Sequence, residues 1–99
     1  MQTVKTKERV PFPNGDIAEN FEFSCSAESG VFNFHFKWLN NRWNLWVTLP
    51  DGKVRQAGVQ PGVISWSGSR EYGLVFETNL PVIDFNSLFM TELYILTWI

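Results

Sequence analysis

Residues 31–49 read VFNFHFKWLNNRWNLWVTL, and this stretch constrains the fold more than any other in the chain. Phe32, Phe34, Phe36 and Trp38 recur at every second position. After Asn40-Asn41, so do Trp43, Leu45, Val47 and Leu49. A period of two marks a strand with one buried face, because successive side chains point to opposite sides. Asparagine tolerates a left-handed backbone, so Asn40-Asn41 predicts a two-residue hairpin loop. Residues facing each other across such a loop have numbers summing to 81. Trp38 then meets Trp43, Phe36 meets Leu45, Phe34 meets Val47 and Phe32 meets Leu49. The other face pairs Lys37 with Asn44, His35 with Trp46 and Asn33 with Thr48. A slip of one residue would exchange the faces and expose every large apolar side chain. Trp43 and Trp46, three apart, therefore fall on opposite sides of one strand.

The surrounding chain repeats this grammar. Phe21, Phe23, Cys25 and Ala27 alternate with Glu22, Ser24, Ser26 and Glu28, and Ser29-Gly30 follows as a turn. Pro50-Asp51-Gly52 has the turn residues in the order a second hairpin requires, and residues 53–59 return as a short strand. Pro61-Gly62 suits a type II turn. Residues 63–66 and 72–78 read as short strands joined through a turn at Ser67-Gly68-Ser69. Asp84 to Ser87 opens one helical turn or a loop, within a possible helical region at 84–90. Residues 88–99 are apolar on both faces. That predicts a strand central to the fold or buried against a partner, with a short helix over 88–96 as the alternative. The fold class expected is all-β: one small antiparallel barrel or sandwich built from hairpins, spanning residues 1–99. Residues 1–15, with Lys5, Lys7 and Arg9, read as a loose or partner-contacting arm.

Length and composition narrow the function. Ninety-nine residues make one domain. The formal net charge of −2 argues against a general polyanion binder, so no nucleic-acid partner is expected. One cysteine excludes an intrachain disulfide. No apolar run reaches membrane-span length, and the N-terminus lacks the apolar core of a signal peptide.

Catalytic material is sparse. His35 is the only histidine, and it stands mid-strand beside Trp46. Cys25 lies on an apolar strand face, where a thiol behaves as a small hydrophobe. One His and one Cys make no zinc set, the acids carry no glycosidase signature, and no glycine-rich phosphate loop is present. The expectation is a non-enzyme without metal or cofactor. The aromatics, 16% of the chain, are its remaining signal. Trp38, Trp43, Leu45 and Val47 are assigned to the core. Trp46, His35, Trp66, Tyr94 and Trp98 are the candidates for contact with a partner. A platform of Trp46, Trp66 and Trp98 stacking on a carbohydrate or other ligand is the alternative.

The middle of the chain also resembles a known family. Asn41-Arg42-Trp43-Asn44-Leu45-Trp46-Val47, then Pro50-Asp51-Gly52, Ala57-Gly58-Val59 and Pro61-Gly62, is similar to the phage baseplate plug proteins. Asp84, Leu88, Leu93 and Tyr94 resemble that family's closing strand. The resemblance spans roughly residues 30–96. The stretch after Gly58 is shorter than usual for the family, and Phe89-Met90 stands where a glycine is common. The resemblance implies a structural protein of a contractile phage tail, made in the host cytoplasm and located in the virion. It would contact hub, spike or tube-initiator proteins, assemble into a larger complex or with itself, and carry out no catalysis.

Overall fold

The computed structural model describes residues 3–66 and 71–98. It is a β-sandwich of two antiparallel sheets. Seven strands are described: β1 (Val4–Val10), β2 (Asn20–Ala27), β3 (Gly30–Leu39), β4 (Arg42–Thr48), β5 (Val54–Ala57), β6 (Tyr72–Glu77) and β7 (Glu92–Trp98). One sheet has the order β2-β3-β4-β5 and the other β1-β7-β6.

The four-stranded sheet is a meander held in register by its turns. Asn40 and Asn41 have φ of 56° and 58°, the paired left-handed geometry of a type I′ hairpin, whose twist matches that of its strands. Trp38 consequently faces Trp43, Phe36 faces Leu45, and His35 faces Trp46, as the alternation requires. The Pro50-Asp51-Gly52 turn closes with Gly52 N–H donating to the Leu49 carbonyl at 2.9 Å, and Gly52 takes φ of 88°. The Asp51 carboxylate accepts from Lys53 N–H at 2.9 Å, which favours the reversal over an extended chain. At the other end of β3, Gly30 lies so close to Pro50 that a Cβ there would sit 2.8 Å from the proline ring. Side-chain-free backbone lets the two hairpin ends pack together.

Phe32, Phe34, Phe36, Trp43, Leu45, Val47 and Leu49 are all buried and meet Leu74, Phe76, Leu93 and Ile95 of the second sheet. Trp38 is only half-buried and packs edge-on against Trp43 and Phe85. Phe36 is the hub of this core, in ring contact with Phe12, Phe21, Phe23, Trp43 and Phe76. Burying aromatic rings on this scale supplies most of the folding drive available to so small a domain.

Three expectations change. The N-terminal segment is not a loose arm: residues 4–10 form β1, paired along its length with β7. That pairing joins opposite ends of the chain, so no local pattern announces it. Residues 63–66 are not a strand; they contribute a single bridge, Ser65 to Leu74. Residues 88–99 divide into a 3-10 turn at Leu88–Met90 and strand β7. β7 is the middle strand of its sheet, with Leu93 and Ile95 in the core between the sheets and Tyr94, Leu96 and Trp98 on the other face. The Ser67-Gly68-Ser69 turn lies outside the described residues.

The Asn40-Asn41 geometry makes a stability prediction. Asn41→Gly should leave the denaturant midpoint unchanged or raise it. Asn41→Val should cost about 1–2 kcal/mol, because a β-branched residue resists positive φ. Chemical denaturation of the two variants checks both.

Candidate protein-contact surfaces

The side chains singled out in the sequence do not converge. Trp46 and His35 lie on the outer face of the four-stranded sheet. Their rings are 6.2 Å apart, and the Lys37 ammonium is 5.9 Å from the Trp46 ring. Trp46 is half-buried among Asn33, Asn44, Thr48 and Gln56, set there by strand alternation. His35 Nε2 is 2.7 Å from the Asn20 side-chain oxygen, so the imidazole is tied to the neighbouring strand.

Tyr94 and Trp98 lie on the outer face of the other sheet, on the far side of the sandwich. By alternation they share a side with Leu96, while Leu93 and Ile95 point into the core. The Tyr94 hydroxyl donates to Glu92, and this bond to a carboxylate, followed by desolvation, raises the Tyr94 pKa. The Lys7 ammonium stands 4.5 Å over the Tyr94 ring and pairs with both oxygens of Glu77 at 2.8 and 2.6 Å. The bond to Glu77 raises the Lys7 pKa, but an ion pair on the surface contributes little to stability. Trp98 lies across Gly73, where a Cβ would come within 2.7 Å of its ring. Glycine at 73 is therefore a steric requirement of the Trp98 position.

Trp66 has a third location, between the sheets on the side of β5 and β6. Its indole N–H donates to the Gln56 carbonyl at 3.0 Å. Its φ of 63° is unusual for a bulky residue and is held by this bond and by packing against the core. Nearby, Gly58 N–H donates to Ser65 Oγ at 3.1 Å, and Gly62, with φ of 72°, donates to the Phe76 carbonyl at 2.8 Å. Residues 58–66 thus clip β5 to β6. Trp46, Trp66 and Trp98 consequently form no common platform.

A cleft of about 520 Å³ opens beside the end of β4, between residues 56–60 and 82–84. Its only carboxylate, that of Asp84, accepts from Asn86 and Ser87 N–H at 3.1 and 3.0 Å. The Asp84 carbonyl receives the Trp43 indole N–H at 3.0 Å, which anchors this loop to the core. Among the described residues, no three His, Cys, Asp or Glu side chains group as a metal would need. No helix among them is long and apolar enough to cross a membrane.

The surface that sequence reasoning missed lies on the opposite side of the sandwich, beside β2. The inward residues of β2, namely Phe21, Phe23, Cys25 and Ala27, are only half-buried, whereas those of β3 and β4 are almost wholly enclosed. β2 has no described strand opposite to cover it fully. Phe12, from a loop, and Phe89, from the 3-10 turn, fill the gap: Phe12 stacks on Phe89 at 5.2 Å and meets Phe23 at 6.1 Å, and Phe89 meets Phe21 edge-on at 5.5 Å. Met90, beside Phe89, is 73% exposed. The result is an aromatic seam open along one side. Period-two alternation identified the apolar face of β2 but carried no information about how completely it would be covered.

Comparison with known proteins returns no matching family model, no matching curated protein and no matching solved structure.

Cys25 lies in this seam. Burial pushes its thiol pKa up, and the nearby Glu8 carboxylate adds to the effect. The folded thiol thus ionises above its ordinary value of 9.0, and stability is unaffected below that pH and falls above it as the unfolded thiol ionises first. Alkylation by iodoacetamide at pH 8 should run slower than for free cysteine, because less of the thiol is ionised and the strand face is partly covered. Denaturation should abolish the difference. Equal rates in the folded chain would contradict the placement.

Proposed function

We propose that this chain is a non-enzymatic structural protein that works through contacts with other proteins, as a plug or hub-associated component of a contractile phage tail baseplate. The observation that carries the protein-contact reading is the partly covered aromatic seam of Phe12, Phe21, Phe23 and Phe89. Phenylalanine is enriched at protein interfaces, and half-covered apolar surface gains free energy when a partner excludes water from it. The assignment to a tail rests on the resemblance of residues 30–96 to the plug family. In that setting the hub, spike and tube-initiator proteins are the expected partners, and the site of action is the virion.

The carbohydrate alternative has weaker support. Its three tryptophans lie on three different sides, and stacking on sugar would rest on Trp46 alone, with the Lys37 ammonium already near that ring.

The test is incorporation. An epitope-tagged chain, expressed during phage infection, should co-purify with assembled tails and cross-link to baseplate proteins. Removing its gene should stop tail assembly. Normal tails without the protein, and a tagged chain found only outside particles, would overturn the assignment.

A further inference from the structure

The two sheets present four lateral edges, and three of them are defended. The outer edge of β6 is occupied by residues 61–65, through Ser65 N–H to the Leu74 carbonyl at 2.7 Å and Leu74 N–H to the Ser65 carbonyl at 3.2 Å. β5 is four residues long and is capped where Trp66 donates to Gln56. β1 has a register shift between Val4 and Thr6 and carries Lys5, Lys7 and Arg9. Short length, bulges, lysines and covering segments are the usual means by which sheets avoid unwanted pairing.

β2 has none of these between Asn20 and Ser26; the β1 strand reaches it only past its end, where Glu28 N–H donates to the Glu8 carboxylate at 3.2 Å. It runs eight residues in unbroken register with β3 and contains no lysine, arginine or proline. Trp38 N–H donates to the Glu19 carbonyl at 2.7 Å, so 19 and 38 form a hydrogen-bonded pair. In an antiparallel ladder such pairs alternate, and hence Phe21, Phe23, Cys25 and Ala27 bond to β3. Asn20, Glu22, Ser24 and Ser26 then direct their N–H and C=O groups outward. No backbone bond to another described segment satisfies those groups. The open aromatic seam runs along the same strand.

The charge around this edge selects the occupant. Glu22 is the one charged residue of β2, Glu19 precedes it and Glu28 follows it, and the cations nearest to the strand are Lys37, across from Asn20 on β3, and Lys5, beside Glu28. The middle of the edge is therefore acidic, and pairing β2 with β2 of a second copy would bring the Glu19 and Glu22 carboxylates of the two copies together, which opposes self-association. We propose that β2 accepts an added strand from a partner protein, an extended segment with basic side chains on one face and apolar ones on the other. Its backbone would complete the ladder at Asn20, Glu22, Ser24 and Ser26. Its basic residues would lie beside Glu22, and its apolar residues would cover Phe21 and Phe23. This deepens the protein-contact half of the functional reading and is independent of whether the partner belongs to a tail.

The test uses the free full-length chain and two capped eight-residue peptides, one alternating lysine with valine and one alternating glutamate with valine. The basic peptide should slow amide exchange at Asn20, Glu22, Ser24 and Ser26 by about tenfold or more at saturation, and the acidic peptide should not. Ser24→Pro removes one outward donor at an edge position that tolerates proline, and should abolish the protection while the thermal midpoint stays within a few degrees. Glu22→Lys, a surface change that leaves the ladder intact, should weaken the basic peptide at least about threefold. Equal protection by both peptides, protection of none of the four amides, binding unaffected in both variants, or a β2-mediated dimer in sedimentation would overturn the proposal. Failure of the chain to enter tails would remove the baseplate assignment and leave this result standing.

Discussion

Two asparagines in left-handed conformation, Asn40 and Asn41, determine which side of the main sheet each side chain occupies. Their turn sets the register of β3 against β4, and the register puts Phe32, Phe34, Phe36 and Trp38 on the face shared by Trp43, Leu45, Val47 and Leu49. β2 then pairs with β3 by the same parity, so Phe21 meets Phe36 and Phe23 meets Phe34. Moving the register by one would place His35, Lys37 and Asn33 in the core, where unpaired polar groups are costly. The core thus depends on the turn, and the turn is supported by the core.

Sheet asymmetry follows from the same arrangement. Four strands on one side meet three on the other, and residues 58–66 close only the β5–β6 side. Opposite, the seam beside β2 is closed by Phe12 from a loop and Phe89 from the 3-10 turn, and its rings stay partly buried. Partly covered apolar surface and a free backbone edge occur together at that place, and the protein-contact proposal rests on that coincidence. Of the tryptophans that looked available in the sequence, two are engaged within the chain: Trp66 donates to the Gln56 carbonyl and Trp98 lies across Gly73.

Local features were legible. Alternation and turn chemistry identified β2, β3, β4 and three of the turns, because period and loop residues are properties of short stretches. The all-β class, a small barrel or sandwich, followed from their number and spacing, and the two separate sheets decide for the sandwich. What could not be read was long-range. β1 is polar and charged (VKTKERV) and becomes a strand only because β7, at the other end of the chain, supplies its ladder. The two-sided apolar character of β7 pointed equally to a centre or to an interface, and the pairing with β1 and β6 that makes it the middle strand is long-range. Trp46 was correctly placed opposite His35, yet the aromatic seam was missed, since exposure of Phe21 and Phe23 depends on how many strands lie across from them.

The most direct test of this account is native-state amide exchange of the free chain, followed residue by residue along β2. The account requires alternation: slow exchange at Phe21, Phe23, Cys25 and Ala27, bonded to β3, and fast exchange at Asn20, Glu22, Ser24 and Ser26, facing outward. Uniform slow exchange across all eight residues in the monomer would mean that the edge is already covered, and would contradict it.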